Sequence, residues 1–398
     1  MDYTPTVVVH GFKGSNLVSP GGRCRFLTVP MLFGLCVRDI RLPLHWEGGG
    51  GGGNMVQGRD DLIPAGPMTI LGKVYSPLIS KLESDNNEKV AVVHSEGDVR
   101  EGPPRRAYFF CYDWRRDPSE NAELLKGVLS AVKASSPGGG AAAVIGHSMG
   151  AQIAWSVVNG EPELASSLLL AGGPFGGNWS FMRDMVRGGG TMLYRQPPAV
   201  LFTYPAPFCF MPLEKDTSES LAKGSEGNWD PKRAESWAEH GILLSPSDPD
   251  FEEKKGHLQN CLDRALAFRA TLRELKHDKS VYPPVAVVSG VDTKTSPLFG
   301  ISKDENGMLG PNFDHYEFIQ GDGRFLFSET KPPVDLDIQV HITGKKHNAL
   351  LADTNLIFKA MEDLKKMREG VDVGEISVGM EKEGKGLAIN IDVDIGAI

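Results

Sequence analysis

Residues 141–158 read Ala141-Ala142-Ala143-Val144-Ile145-Gly146-His147-Ser148-Met149-Gly150-Ala151-Gln152-Ile153-Ala154-Trp155-Ser156-Val157-Val158. An apolar run enters a G-x-S-x-G pentapeptide, and a helix-forming run leaves it. That is a strand, a sharp turn and a helix, with the serine on the turn. The two glycines let strand and helix approach closely. The turn presents the Ser148 hydroxyl at a helix N-terminus, where free N–H groups and the helix dipole stabilise negative charge.

Outward from this turn, strands and helices alternate. Strand patterns cover 6–9, 89–93, 107–112, 142–145, 167–171, 285–289 and 337–342. Helical patterns cover 77–82, 121–134, 150–158, 258–275 and 354–367. In the fourth helix Leu258, Leu262, Ala265, Phe268, Leu272 and Leu275 share one face. The alternation predicts an α/β fold with a mostly parallel central sheet and helices on both faces. Two stretches break the rhythm. Residues 18–72 hold few clear elements and include the hexaglycine 48–53, which reads as a flexible linker. Residues 174–280 read as a lid or cap; within them 199–213 is apolar but interrupted by three prolines. We therefore expect a catalytic domain over 1–370 and a C-terminal extension over 371–398, where 387–395 alternates like an edge strand.

The chain has 398 residues and a formal charge of −9. An acidic balance argues against a nucleic-acid partner, because phosphate neutralisation needs a basic surface. It leaves contact with a lipid surface through an apolar face open. The N-terminus lacks the basic segment of a signal peptide, and the longest apolar stretch, 26–37, is too short to span a bilayer. The expectation is a cytoplasmic protein. Its five cysteines have no metal spacing and read as reduced thiols. No metal or organic cofactor is expected, and nothing in the sequence sets the oligomeric state.

A serine hydroxyl needs a base to remove its proton, and the base needs an orienting acid. On α/β-hydrolases these follow in the order Ser, Asp or Glu, His. For the base, His347 lies just past the strand 337–342, where a loop can reach Ser148, whereas His341 lies inside that strand. His10, His257, His277 and His315 fit the role less well by position. For the acid, Asp322 stands in the turn Gly321-Asp322-Gly323 and Asp292 just after the strand 285–289. Spacing leaves these two even. The oxyanion hole would use the N–H groups of Met149 and Phe12, the latter in the loop His10-Gly11-Phe12-Lys13-Gly14-Ser15.

Several of these stretches together resemble the lecithin:cholesterol acyltransferase-like family of α/β-hydrolases. Gly11–Leu17 is similar to that family's opening P-G-x-x-G-S-x-L, and Tyr112-Asp113-Trp114-Arg115 to its Y-D-W-R signature. Gly146–Gly150 matches its G-H-S-M-G, and Gly172–Gly177 its Pro-Phe-Gly-Gly stretch at the start of the lid. Gly321–Gly323 resembles its acid motif and His347–Leu351 its histidine motif. The resemblance favours Asp322 over Asp292. It implies a serine acyl-transfer enzyme of lipid metabolism, either an O-acyltransferase or a phospholipase or lipase. Asp113 and Arg115 would be a structural ion pair, with Trp114 packed beneath the site. Phe175, Phe202 and Phe208 are candidate substrate contacts. There are departures: Arg324-Phe325 follows the acid motif where the family has Thr-Val, and His10 replaces the opening proline. Cys24 and Cys36 lie where secreted members close a loop with a disulfide. The rival readings are a soluble carboxylesterase or thioesterase for small esters, and a non-catalytic ligand-binding hydrolase fold.

Overall fold

Among the described residues eight strands form the central sheet: β1 (Thr6–Val9), β2 (Ala91–Val93), β3 (Ala107–Phe110), β4 (Ala142–His147), β5 (Ala165–Ala171), β6 (Val285–Gly290), β7 (Ile338–Thr343) and β8 (Ile376–Val378). Their order is β8-β7-β6-β5-β4-β1-β3-β2, with every neighbouring pair parallel. This computed structural model describes residues 4–33, 35, 40–44, 61–68, 74–191, 194–214, 225–296, 298–313, 318–373 and 376–378. The hexaglycine, Cys36, His315 and the alternating run 387–395 lie outside them.

A parallel sheet covered on both faces must be apolar on both, and these strands are. Val7, Val9, Val144, Leu168, Leu170, Val285 and Val287 face one core. It is shared with helices α3 (Pro118–Ser135) and α4 (Met149–Gly160). Val8, Ile145, Leu169, Ala286 and Val288 face the other, shared with α1 (Ser76–Asn86) and α7 (Thr354–Arg368). Local signals set the helix ends. Asp117 caps α3 by accepting the Ser119 N–H, with Pro118 in the first turn. Asp353 caps α7 through the Leu356 N–H, and Lys365, Lys366 and Arg368 sit in its last turn, where cations suit the dipole.

Between β5 and β6 the chain builds a cap. It includes α5 (Ser180–Arg187) and α6 (Phe251–Ala270). Its Trp179, Trp229 and Trp237 pack with Phe299, from the segment after β6, into one buried aromatic cluster. Between β2 and β3 runs the short α2 (Glu96–Glu101), opened by a Ser95–Asp98 capping box. Residues 18–72 are less irregular than the composition predicts. Ser15–Val18 pairs antiparallel with Cys24–Phe26 on one side and Ile63–Pro67 on the other. These strands are short and bulged, so no alternation emerges in the sequence.

Candidate active site

The serine turn is built by exclusion. Ser148 adopts φ +55°, ψ −124°, a conformation that side chains rarely tolerate. A Cβ on Gly146 would lie 2.7 Å from Ala151 Cα, and one on Gly150 would strike the carbonyl oxygens of Val9 and His10. Both pentapeptide glycines are thus required by close backbone approach. Hydrogen bonds from Ser148 N–H to Ala171 O (2.8 Å) and from Ala151 N–H to Ser148 O (2.9 Å) hold the turn.

Two excursions at the C-terminal edge of the sheet converge on Ser148. After β6 the chain makes Thr293–Thr295, wanders, and returns as Ile319–Gly321 antiparallel to it. That return sets Asp322 beside the end of β6, where Gly290 leaves room: a Cβ there would lie 2.8 Å from Asp322 Cβ. After β7 a loop carries His347 to the same edge, and its N–H donates to Asp322 O (2.9 Å). His347 Nδ1 lies 2.7 Å from Asp322 Oδ2, and Nε2 lies 2.9 Å from Ser148 Oγ. A carboxylate only accepts, so Nδ1 carries the proton and Nε2 accepts from the Ser148 hydroxyl. Burial pushes the Asp322 carboxyl up, but the neighbouring His347 with its hydrogen bond and the N–H groups of Phe325 and Arg324 outweigh it and hold it below the usual range. Asp292 is exposed beside Gly344, and it is Asp322 that meets His347 Nδ1. His341 is 0% exposed within β7, with no hydrogen-bond partner among the described residues. Its Nε2 faces Asp363 of α7 at 4.0 Å.

The loop after β1 lies against the serine: a Cβ on Gly11 would be 2.8 Å from Ser148 Cβ. Gly14 N–H donates to Gly11 O (3.0 Å), closing a turn through Phe12 and Lys13. No hydrogen bond from the Phe12 or Met149 N–H is found among the described residues. The Phe12 ring packs edge-on against Trp114, Phe181 and Phe210. Beneath the loop, Asp113 and Arg115 form a buried two-pronged pair (2.9 and 2.6 Å), and Trp114 donates to Ser15 O (3.0 Å).

A buried relay joins the turn after β1 to the histidine loop. Gly11 N–H donates to Tyr75 Oη (2.8 Å), Tyr75 Oη lies 3.0 Å from His147 Nδ1, and His147 Nε2 lies 3.1 Å from His347 O. A carbonyl only accepts, so His147 carries its proton on Nε2 and Tyr75 donates to Nδ1. That order requires a neutral imidazole. Burial and the neighbouring His347 push the His147 pKa down to about 3, which keeps it neutral. Sequence reading missed Tyr75, since its two partners stand 64 and 72 residues away and no motif surrounds it.

The three candidate substrate phenylalanines separate. Phe202 lines a cavity of about 1320 Å³ with Ile40, Leu42, Leu62, Met185 and Leu244. Phe175 and Phe208 do not: Phe175 packs over Gly173 near Ala151, and Phe208 packs against Trp237. Both rings are buried. No triad residue lines this cavity; its wall includes Met185, one turn from Phe181 on α5. Cys111, Cys209 and Cys261 are buried free thiols. Among the described residues no helix is long and apolar enough to cross a membrane, and no group of three or more His, Cys, Asp or Glu could hold a metal ion.

The parallel sheet, the strained serine turn and the cap after β5 make this an α/β-hydrolase fold. No protein-family model and no curated protein matches the sequence. Among solved structures, a chain of the Tle4–Tli4 complex aligns over 93% of this chain and 99% of its own, at TM-score 0.57 and 11% identity. A carboxylesterase structure from Nitrososphaera gargenis covers 92% of each chain at TM-score 0.32 and 10% identity. A lipase-esterase related protein from Clostridium acetobutylicum covers 69% of this chain and 93% of its own, at TM-score 0.28 and 12% identity. The first of these shares the overall fold.

Proposed function

We propose that this chain is a serine acyl-transfer enzyme acting on a lipid ester, akin to the lecithin:cholesterol acyltransferase-like α/β-hydrolases. The observation that carries the reading is His347 held between Ser148 (2.9 Å) and Asp322 (2.7 Å) below a strained serine turn. Such strain persists only where the surrounding structure enforces it, and it recurs at functional sites. In the proposed reaction His347 Nε2 takes the Ser148 proton as Oγ bonds to the ester carbonyl carbon. The N–H groups of Phe12 and Met149 receive the oxyanion. Collapse breaks the ester bond, and the leaving alcohol takes the proton from His347. Asp322 remains a carboxylate throughout and stabilises the imidazolium. An alcohol or water, deprotonated by His347, then attacks the acyl-enzyme and returns Ser148 to its starting state.

The lipid part of the reading rests on the Tyr112–Arg115 signature and on the cap. Leu42, Leu62, Phe202 and Leu244 give the 1320 Å³ cavity apolar surface for a hydrocarbon portion, beside charged lining residues such as Arg25, Asp61 and Lys254. The test is incubation with a phospholipid and a long-chain alcohol or sterol, with products resolved by mass. Acylated alcohol or free fatty acid, formed by wild type and not by Ser148→Ala, is expected. Cleavage of short esters alone would replace the lipid reading with a small-ester carboxylesterase or thioesterase. A folded wild type inert towards every ester would leave a ligand-binding hydrolase fold.

A further inference from the structure

Lys13 occupies a costly position. It is the third residue of the hydrogen-bonded turn Gly11–Gly14 and has φ +61°, where glycine or asparagine is least strained. Its ammonium lies 5.2 Å from the centre of the Phe12 ring, half-buried, without a hydrogen bond or ion pair among the described residues. Burial pushes its pKa down to about 8, with Asp184 raising it and Arg324 lowering it. Arg324 stands two residues past Asp322, and its Nη1 lies 3.0 Å from Asp184 Oδ2 on α5. Its side chain is 41% exposed. The Phe12 ring packs on Phe181, one turn before Asp184 on α5, and Ser180 Oγ donates to Arg324 O (3.2 Å), so the oxyanion turn, the acid loop and the cap helix come together with two cations and one carboxylate around them. Asp184 answers Arg324, and the Lys13 charge is left over. Phe12 stands in the chain between Lys13 and Gly11, the residue that lies against Ser148.

We propose that Lys13 and Arg324 hold an anionic oxygen group of the substrate, so that the preferred ester carries a phosphate or carboxylate close to its scissile carbonyl. This rests on the ester-cleaving reading of Ser148. It also gives a purpose to Arg324, the residue at which the sequence departs from the motif it otherwise resembles. Arg324 brings a second cation to the rim, and Asp184 positions it.

The test uses three matched lipids in non-ionic detergent micelles: dioctanoylglycerol, its phosphate monoester and its hemisuccinate. The readout is kcat/KM for each anionic ester relative to the neutral one. Wild type should favour one or both anionic esters, and the phosphate and hemisuccinate arms tell which anion is taken. Lys13→Gly suits the backbone at φ +61° and should fold; it should lower the anionic-to-neutral ratio about tenfold or more, the loss of one hydrogen bond to a charged group. Lys13→Arg should restore it. A ratio unmoved by Lys13→Gly, or an equal loss on neutral and anionic esters, would overturn the anion site while ester cleavage stands. If wild type cleaves none of the three and Ser148 resists an active-site fluorophosphonate, the ester reading fails as well.

Discussion

Replacing Asp322 by asparagine should disable the site through proton placement alone. Asp322 Oδ1 accepts from the N–H groups of Arg324 and Phe325, both at 2.8 Å. Only the amide oxygen of asparagine can fill that place. The amide NH2 must then face His347 Nδ1, now 2.7 Å from the Oδ2 it replaces. A donor there turns Nδ1 into an acceptor and moves the imidazole proton to Nε2. Nε2 can no longer take the proton from Ser148 Oγ, 2.9 Å away. A wrong tautomer of this kind costs about 10⁴ in kcat, the loss seen for the same change in a serine protease triad. The assay is initial-rate hydrolysis of a p-nitrophenyl ester, with circular dichroism to verify the fold. Asp292→Asn is the companion variant; that residue is exposed and outside the triad, so its rate should equal that of wild type. Asp322→Asn within tenfold of wild type would refute the proton argument. A large loss in Asp292→Asn would move the acid to the other loop.

Tyr75→Phe removes the hydroxyl shared by the Gly11 N–H and His147 Nδ1 and leaves both buried groups unpaired. It should cost about 2–4 kcal/mol in urea denaturation and lower kcat more than it raises KM; an unchanged unfolding midpoint would discount the relay. Gly150→Ala forces a methyl into the carbonyl oxygens of Val9 and His10, so the oxyanion turn must shift. Activity should fall about 100-fold, the effect of a displacement near 1 Å, whereas Gly256→Ala, with open space around it in α6, should raise the melting temperature slightly. Burial also lowers the pKa values of His10 and His341 to about 4 and that of His147 to about 3. The unfolded chain then binds more protons below about pH 6.5, so the stability present above that pH is lost on acidification, by up to about 2 kcal/mol per histidine at pH 5. A urea midpoint equal at pH 7.5 and pH 5 would contradict this.

The parts of the fold legible in the sequence are those set by local pattern. The strands 6–9 and 142–145 and the helix 354–367 are continuous apolar or amphipathic runs bounded by polar caps, and the structure places an element at each. Ends shifted where capping chemistry lay outside the periodic run, as at Asp117-Pro118. The pentapeptide was legible because both glycines answer to backbone approach within the turn or to β1. Spacing alone did not choose between Asp322 and Asp292, because the choice depends on the pairing of Thr293–Thr295 with Ile319–Gly321 across the intervening chain; only the motif resemblance of Gly321–Gly323 favoured Asp322. Tyr75 and the lysine in the oxyanion turn escaped for the same reason: their roles depend on partners brought in from distant segments. The aromatics of the cap could not be sorted by composition: Phe202 lines the large cavity, whereas Phe175 and Phe208 are buried beside Gly173 and Trp237.

The central claim is that Ser148 is a nucleophile activated by His347. Reaction of the folded chain with a fluorophosphonate, followed by peptide mass spectrometry, tests it most directly. The account predicts one stable adduct, on Ser148, formed rapidly by wild type and at least about a thousandfold more slowly by His347→Ala. An unmodified Ser148, or labelling that is as fast without His347, would contradict it.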